Sequence, residues 1–147
     1  MNRLKCVIID DEIASIEVLI NYINKTPCLQ LLNSFQKPKD GIAFSQLNQV
    51  DLYFLDVIMP EFNGLTLAKI FERESKIIII SGHRDYAFEC YSLNVIDYLL
   101  KPIPYDRFYM AVQKVLPKKE IEINHKFMFV KSDRKMVKID FESILYI

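Results

Sequence analysis

The chain has 147 residues, enough for one domain with a hydrophobic core and little more. Apolar residues make up 51% and charged residues 26%, which excludes a disordered chain. Lys and Arg number 19, as do Asp and Glu, so the chain as a whole has no excess charge to bind nucleic acid or a membrane surface. No signal peptide is visible and no apolar stretch approaches the ~20 residues of a membrane span. A cytoplasmic protein is expected, with no membrane partner.

Residues 5–9 (KCVII) form a short apolar run that ends in Asp10, Asp11 and Glu12, and are expected to be a first strand. Ile16, Leu19, Ile20 and Ile23 recur at helical spacing, so 13–24 is an amphipathic helix, stopped by Pro27. Residues 29–35 (LQLLNSF) are less hydrophobic and suit an edge strand. Pro38 opens a second helix to about residue 48, with Ala43, Phe44 and Leu47 expected inward. Residues 51–56 run apolar into Asp56, a strand buried on both faces. After the Asn63-Gly64 turn, 65–72 is a third helix with Leu67, Ile70 and Phe71 inward. Residues 76–81 (KIIIIS) are the plainest buried strand and end in Ser81-Gly82. A fourth, weaker helix is expected over 84–93 and a fifth strand over 95–100, ending in Lys101-Pro102. Pro104 opens a fifth helix with Phe108, Ala111, Val112 and Val115 inward, ended by Pro117.

Five alternations of strand and helix predict an α/β fold, a doubly wound parallel sheet with helices on both faces. After Pro117 the composition changes. Residues 118–126 are mostly polar and read as a linker. Residues 127–130 and 136–141 are β-rich runs around a turn at 132–135, a short C-terminal β segment whose exposed edge is expected to pair with another chain. Cys6, Cys28 and Cys90 are odd in number and far apart, which argues for buried thiols and not for disulfides or zinc. His83 and His125 read as solvated loop residues.

Ligands bind at the carboxyl edge of such a sheet. There the pattern collects Asp10, Asp11 and Asp56, with Lys101 and Ser81. Clustered carboxylates raise each other's pKa unless a cation neutralises them. A hard divalent ion with oxygen ligands, waters and a phosphate suits the set, and that ion is Mg²⁺. Lys101 adds a charge for a phosphoryl oxygen, Ser81 a hydroxyl, and a carboxylate in this setting can attack phosphorus.

Four segments carry a resemblance: Ile8-Ile9-Asp10-Asp11-Glu12, the run from Phe54 to Gly64, Ser81-Gly82 and Tyr98-Leu99-Leu100-Lys101-Pro102. In order and spacing they resemble the receiver domain of bacterial two-component response regulators, over about residues 3–117. The resemblance implies a flavodoxin-like sheet of order 2-1-3-4-5. It implies that Asp56 accepts a phosphoryl group from a sensor histidine kinase. Asp11, Asp56 and the carbonyl of Ile58 would ligate Mg²⁺, with Asp10 acting through water. Ser81 and Tyr98 would be the switch residues, and Lys101 would hold the phosphoryl group before a cis bond to Pro102. A homodimer is implied through the fourth helix, fifth strand and fifth helix, with Tyr86, Phe88, Tyr91, Tyr105 and Tyr109 contributing.

Residues 127–147 resemble the opening strands of a LytTR-type DNA-binding domain, which follows the receiver in one class of transcription regulators. The expected organisation is a receiver over 1–117, a linker over 118–126 and a fragment of the output domain over 127–147. DNA binding would need the complete output domain. The chain is therefore expected to be a phosphoacceptor and not an enzyme, beyond slow self-dephosphorylation. Three rivals stand beside this reading. One is a receiver-like interaction module that signals without phosphate. A second is an aspartyl phosphohydrolase, which would need an acid where Ile58 stands. The third is a flavodoxin-type carrier, whose phosphate would be repelled by the acids after the first strand.

Overall fold

The structure is a computed structural model that describes residues 3–60 and 63–117. The expected linker and C-terminal β segment, with His125, lie outside the described residues. Five strands, β1 (Leu4–Ile9), β2 (Leu29–Phe35), β3 (Leu52–Asp56), β4 (Lys76–Ser81) and β5 (Asp97–Leu100), pair in parallel in the order β2-β1-β3-β4-β5. Four α-helices connect or follow them: α1 (Ile13–Asn24), α2 (Pro38–Leu47), α3 (Gly64–Phe71) and α4 (Tyr105–Val115).

Sequence polarity sets each strand's place. Every residue of β3 is buried, as is every residue of β4 after Lys76, and these continuous apolar runs lie inside the sheet. The mixed run of β2 takes an edge, where it is half-exposed. Strand side chains alternate between two cores. Cys6, Ile8, Leu52, Phe54, Ile78 and Leu99 meet Ile16, Leu19 and Ile23 of α1 and Phe108, Ala111 and Val112 of α4. On the other face Val7, Ile9, Tyr53, Leu55, Ile77 and Ile79 meet Leu67, Ala68 and Phe71 of α3, with Tyr53 stacked on Phe71 at 4.0 Å. Each fully buried large side chain contributes about 1.5–3 kcal/mol. The three cysteines are free thiols, Cys6 and Cys90 buried and Cys28 partly so.

The structure corrects the sequence reading in four places. The expected helix over 84–93 is two 3-10 turns, Arg84–Tyr86 and Phe88–Ser92. Its aromatic, Cys and Ser residues are indifferent helix formers, and Cys90 is the buried anchor, its Sγ directed to the Tyr86 carbonyl. On α2, Ala43 and Leu47 face outward, Leu47 with 87% exposure, while Ile42 and Phe44 pack on the core. The register follows Gly41, which lies so close to β1 that a Cβ there would come within 2.3 Å of Ile9 Cδ1. On α3, Ile70 is 46% exposed and Ala68 takes the inward place. Strand β5 begins at Asp97, two residues later than expected.

Candidate functional site

Strands β1 and β3 are neighbours in register, Ile9 opposite Leu55, so their carboxyl ends deliver Asp10 and Asp56 side by side. Asp10, Asp11 and Asp56 each offer a carboxylate oxygen, and these lie within 4.8 Å of one another. Asp10 and Asp56 are buried and Asp11 is exposed. Asp10 Oδ1 accepts the Glu12 N–H at 2.9 Å. Its Oδ2 is buried, lies 3.1 Å from Lys101 Nζ and accepts no well-formed hydrogen bond. Burial, then the charge of Asp10, push the Asp56 carboxyl up to about 7 against the pull of Lys101. Burial raises Asp10 as well, although the Glu12 N–H and Lys101 favour its charged form.

Lys101 reaches the acids from the far side of the sheet edge. Its Nζ lies 2.9 Å from Glu12 Oε1, 3.1 Å from Asp10 Oδ2 and 3.7 Å from Asp56 Oδ2. Burial works against its charge, but these carboxylates outweigh burial and hold it above its ordinary value. Its backbone N–H donates to the Ser81 carbonyl at 2.7 Å, and the Lys101–Pro102 bond is cis. The Tyr22 hydroxyl of α1 donates to the Ile103 carbonyl at 2.6 Å and fixes the loop that follows.

Ser81, fully buried at the end of β4, stands one residue beyond the Asp56–Ile80 pair. Its Oγ accepts the His83 N–H at 2.9 Å and donates to the His83 carbonyl at 3.2 Å. The Tyr98 hydroxyl donates to the same carbonyl. The exposed His83 thus enters through its backbone.

The loop after Asp56 is held by Gly64, whose N–H donates to Val57 O at 2.7 Å. A Cβ on Gly64 would stand 2.0 Å from the Asp56 carbonyl oxygen. Asn63 caps α3 by accepting the Thr66 N–H at 3.0 Å. The acids open into a cavity of about 720 Å³, with Ile58, Gly82, Val18, Tyr22 and Ile103 among its walls. Nothing would meet a side chain at Gly82, so the approach is open there.

Asp10, Asp11, Asp56 and Lys101 therefore converge, while Ser81 and Tyr98 meet at the neighbouring His83 backbone. Two participants escaped the sequence reading. Glu12 ends the acidic segment after the first strand, but its contact with Lys101 spans 89 residues and no local pattern reveals it. Gly64 read as a turn signal, whereas its role is close approach to the Asp56 backbone.

Residues 6–113 match the response regulator receiver domain family, and the chain belongs to that family. It is 34% identical to the transcriptional regulatory protein LytR of Staphylococcus aureus over 125 residues, 83% of this chain and 51% of that protein. It is 31% identical to the protein MrkE of Klebsiella pneumoniae over 116 residues, 77% of this chain and 43% of that protein. The chain thus spans about half the length of the curated relatives it matches. The crystal structure of the MrkE response regulatory domain superposes with a TM-score of 0.72 at 30% identity, covering 76% of this chain and 94% of that one. The Thermotoga maritima response regulator TrrA, in complex with Mg²⁺ and a beryllium fluoride, has the same fold with a TM-score of 0.68 at 22% identity, covering 77% of this chain and 99% of that one. No helix among the described residues is long and apolar enough to cross a membrane.

Proposed function

We propose that this chain is the phosphoacceptor of a two-component pair, with Asp56 taking a phosphoryl group from a phosphohistidine of a sensor histidine kinase. One observation carries the reading. A buried strand-end carboxylate, pushed up to about 7, stands between two further acids and an ammonium 3.7 Å away. An oxygen-only donor set, in which the buried Asp10 Oδ2 is ion-paired with Lys101 but accepts no well-formed hydrogen bond, fits a hard divalent cation. Asp11, Asp56 and the Ile58 carbonyl would hold Mg²⁺, with Asp10 acting through water. The ion, when bound, supplies charge neutralisation for the acids and the phosphoryl oxygens.

The chain's own residues do the rest. An Asp56 carboxylate oxygen attacks phosphorus as the P–N bond of the donor breaks, and the imidazole keeps the electron pair and takes a proton. Lys101 donates to a phosphoryl oxygen. The Ser81 hydroxyl turns from the His83 carbonyl toward the phosphoryl group, and Tyr98 keeps that carbonyl and fills the space left behind. Ile58, without a proton to give or take, leaves water unactivated, so the acyl phosphate lasts long enough to signal. This suits a switch and not a turning-over phosphatase.

The output surface is the face of the two 3-10 turns, β5 and α4, where Phe88, Tyr109 and Met110 are exposed at 78%, 43% and 58%. Phosphorylation would drive a homodimer through it. Tyr105, half-buried, packs its ring against Tyr22 at 5.2 Å and Tyr109 at 6.1 Å, and its hydroxyl lies 2.9 Å from Thr26 Oγ1, so it would border that surface. The domain division at 117 and 126, the LytTR-type output and its DNA binding are part of the same proposal, supported by the similarity to LytR. The test uses beryllofluoride with Mg²⁺, the anion standing in for the phosphoryl group. Light scattering should show a monomer become a dimer, with no response in Asp56→Asn. A wild-type chain indifferent to the anion would favour the phosphate-independent interaction module.

A further inference from the structure

We propose that Glu12 is a positioning residue that latches Lys101 in the resting protein and competes with the incoming phosphoryl group for it. The inference rests on the phosphoacceptor reading of Asp56. Of the three carboxylates near Lys101 Nζ, Glu12 is the nearest at 2.9 Å and forms the hydrogen bond, while Asp56 stands off at 3.7 Å. Glu12 is not placed there by chance of a long side chain. It is the N-terminal cap position of α1, its backbone N–H is fixed by Asp10 Oδ1, and its carboxylate accepts the Ser15 hydroxyl at 2.8 Å on the same Oε1 that holds Lys101. Ser15 and Glu12 therefore form a braced acceptor aimed across the mouth of the site.

A phosphoryl group on Asp56 brings negative oxygens that need the same ammonium. A carboxylate fixed beside them repels them and shares their donor. Two consequences follow. Lys101 must leave Glu12 for the site to close on the anion, and the latch weakens anion binding by the strength of the contact it gives up. Glu12 is 60% exposed on its side chain, so that contact is of the order of a solvent-screened ion pair. Its removal should tighten anion binding by about two- to fivefold. Glu12 holds no place in the three-acid cluster, so its loss leaves the cation donors intact.

The experiment is calorimetric titration of beryllofluoride into the Mg²⁺-loaded protein, with Mg²⁺ alone titrated separately. Wild type, Glu12→Gln, Ser15→Ala and Glu17→Gln are compared. Glu17 is an exposed acid further along α1 and controls for net charge. Glu12→Gln should bind the anion about two- to fivefold tighter without binding Mg²⁺ alone more tightly. Ser15→Ala, which frees the latch without removing its charge, should shift the same way by less, and Glu17→Gln should match wild type. A crystal structure of the anion-bound wild type should show Lys101 Nζ withdrawn from Glu12. Equal or weaker anion binding in Glu12→Gln, an equal gain in Glu17→Gln, or a Lys101–Glu12 contact kept in the bound state would each overturn the latch. A wild type that fails to bind the anion would instead remove the phosphoacceptor reading on which the latch depends.

Discussion

Asp56→Asn should make the metal-free protein more stable, and only where Asp56 is charged. Raising a buried carboxyl from its ordinary 3.8 to about 7 means that the fold disfavours its charged form. The difference corresponds to about 4 kcal/mol at 1.36 kcal/mol per pH unit. The charge of Asp10 helps to raise Asp56, so part of the shift belongs to the pair and about 2–4 kcal/mol is the expected gain. The sign follows from the direction of the shift. Well below pH 4 the group is protonated in both folded and unfolded chains, and the substitution changes little. As pH rises from about 4 to 7 the unfolded chain loses its proton first and the wild type loses stability, while asparagine does not titrate. Above about pH 7 the full difference is reached, a rise in melting temperature of roughly 8 °C or more for a domain of this size. The assay is thermal and urea unfolding of both proteins in chelator between pH 4.5 and 8. Added Mg²⁺ should narrow the gap, since a cation offsets the repulsion that asparagine removes. A variant no more stable at pH 8, or a gain that does not vary with pH, would refute the reasoning.

Two other substitutions probe how the site is held. Gly64→Ala would put a Cβ 2.0 Å from the Asp56 carbonyl oxygen. Backbone must move, so urea unfolding should show a loss of about 1–3 kcal/mol, with slower phosphorylation of Asp56. A wild-type melt would show that the loop yields freely. Asp97, though burial opposes its charge, is held down to about 2 by Arg107, Lys114 and the Tyr98 N–H. Its contribution is present above about pH 4 and is lost as pH falls toward 2. With partners partly exposed, Asp97→Asn should cost about 1–2 kcal/mol at pH 7 and nothing near pH 2, read from melts at the two pH values.

Hydrophobic pattern carried most of the fold. Strands β3 and β4 were legible because burial on both faces leaves an unbroken apolar run, and α1 and α4 because one stripe repeats at helical spacing. What escaped was set by tertiary contact. Leu47 satisfied the α2 stripe, but the close approach of Gly41 to Ile9 turned the helix so that Leu47 faces water. The segment 84–93 had apolar residues enough for a helix, but strong formers such as Ala87 and Glu89 are interleaved with aromatic, Cys and Ser residues, and it is two 3-10 turns. At the site, Asp10, Asp56 and Lys101 were legible as polar residues ending buried strands, since the parallel order brings such ends together. The Glu12–Lys101 contact and the shared His83 carbonyl were not, because side-chain reach across loops leaves no periodic trace.

Formation of an acyl phosphate on Asp56 tests the account most directly. Intact-mass measurement after incubation with acetyl phosphate and Mg²⁺ should find a single phosphoryl adduct that hydroxylamine removes and that Asp56→Asn never acquires. An unmodified wild-type chain, or an adduct that persists in Asp56→Asn, would contradict it.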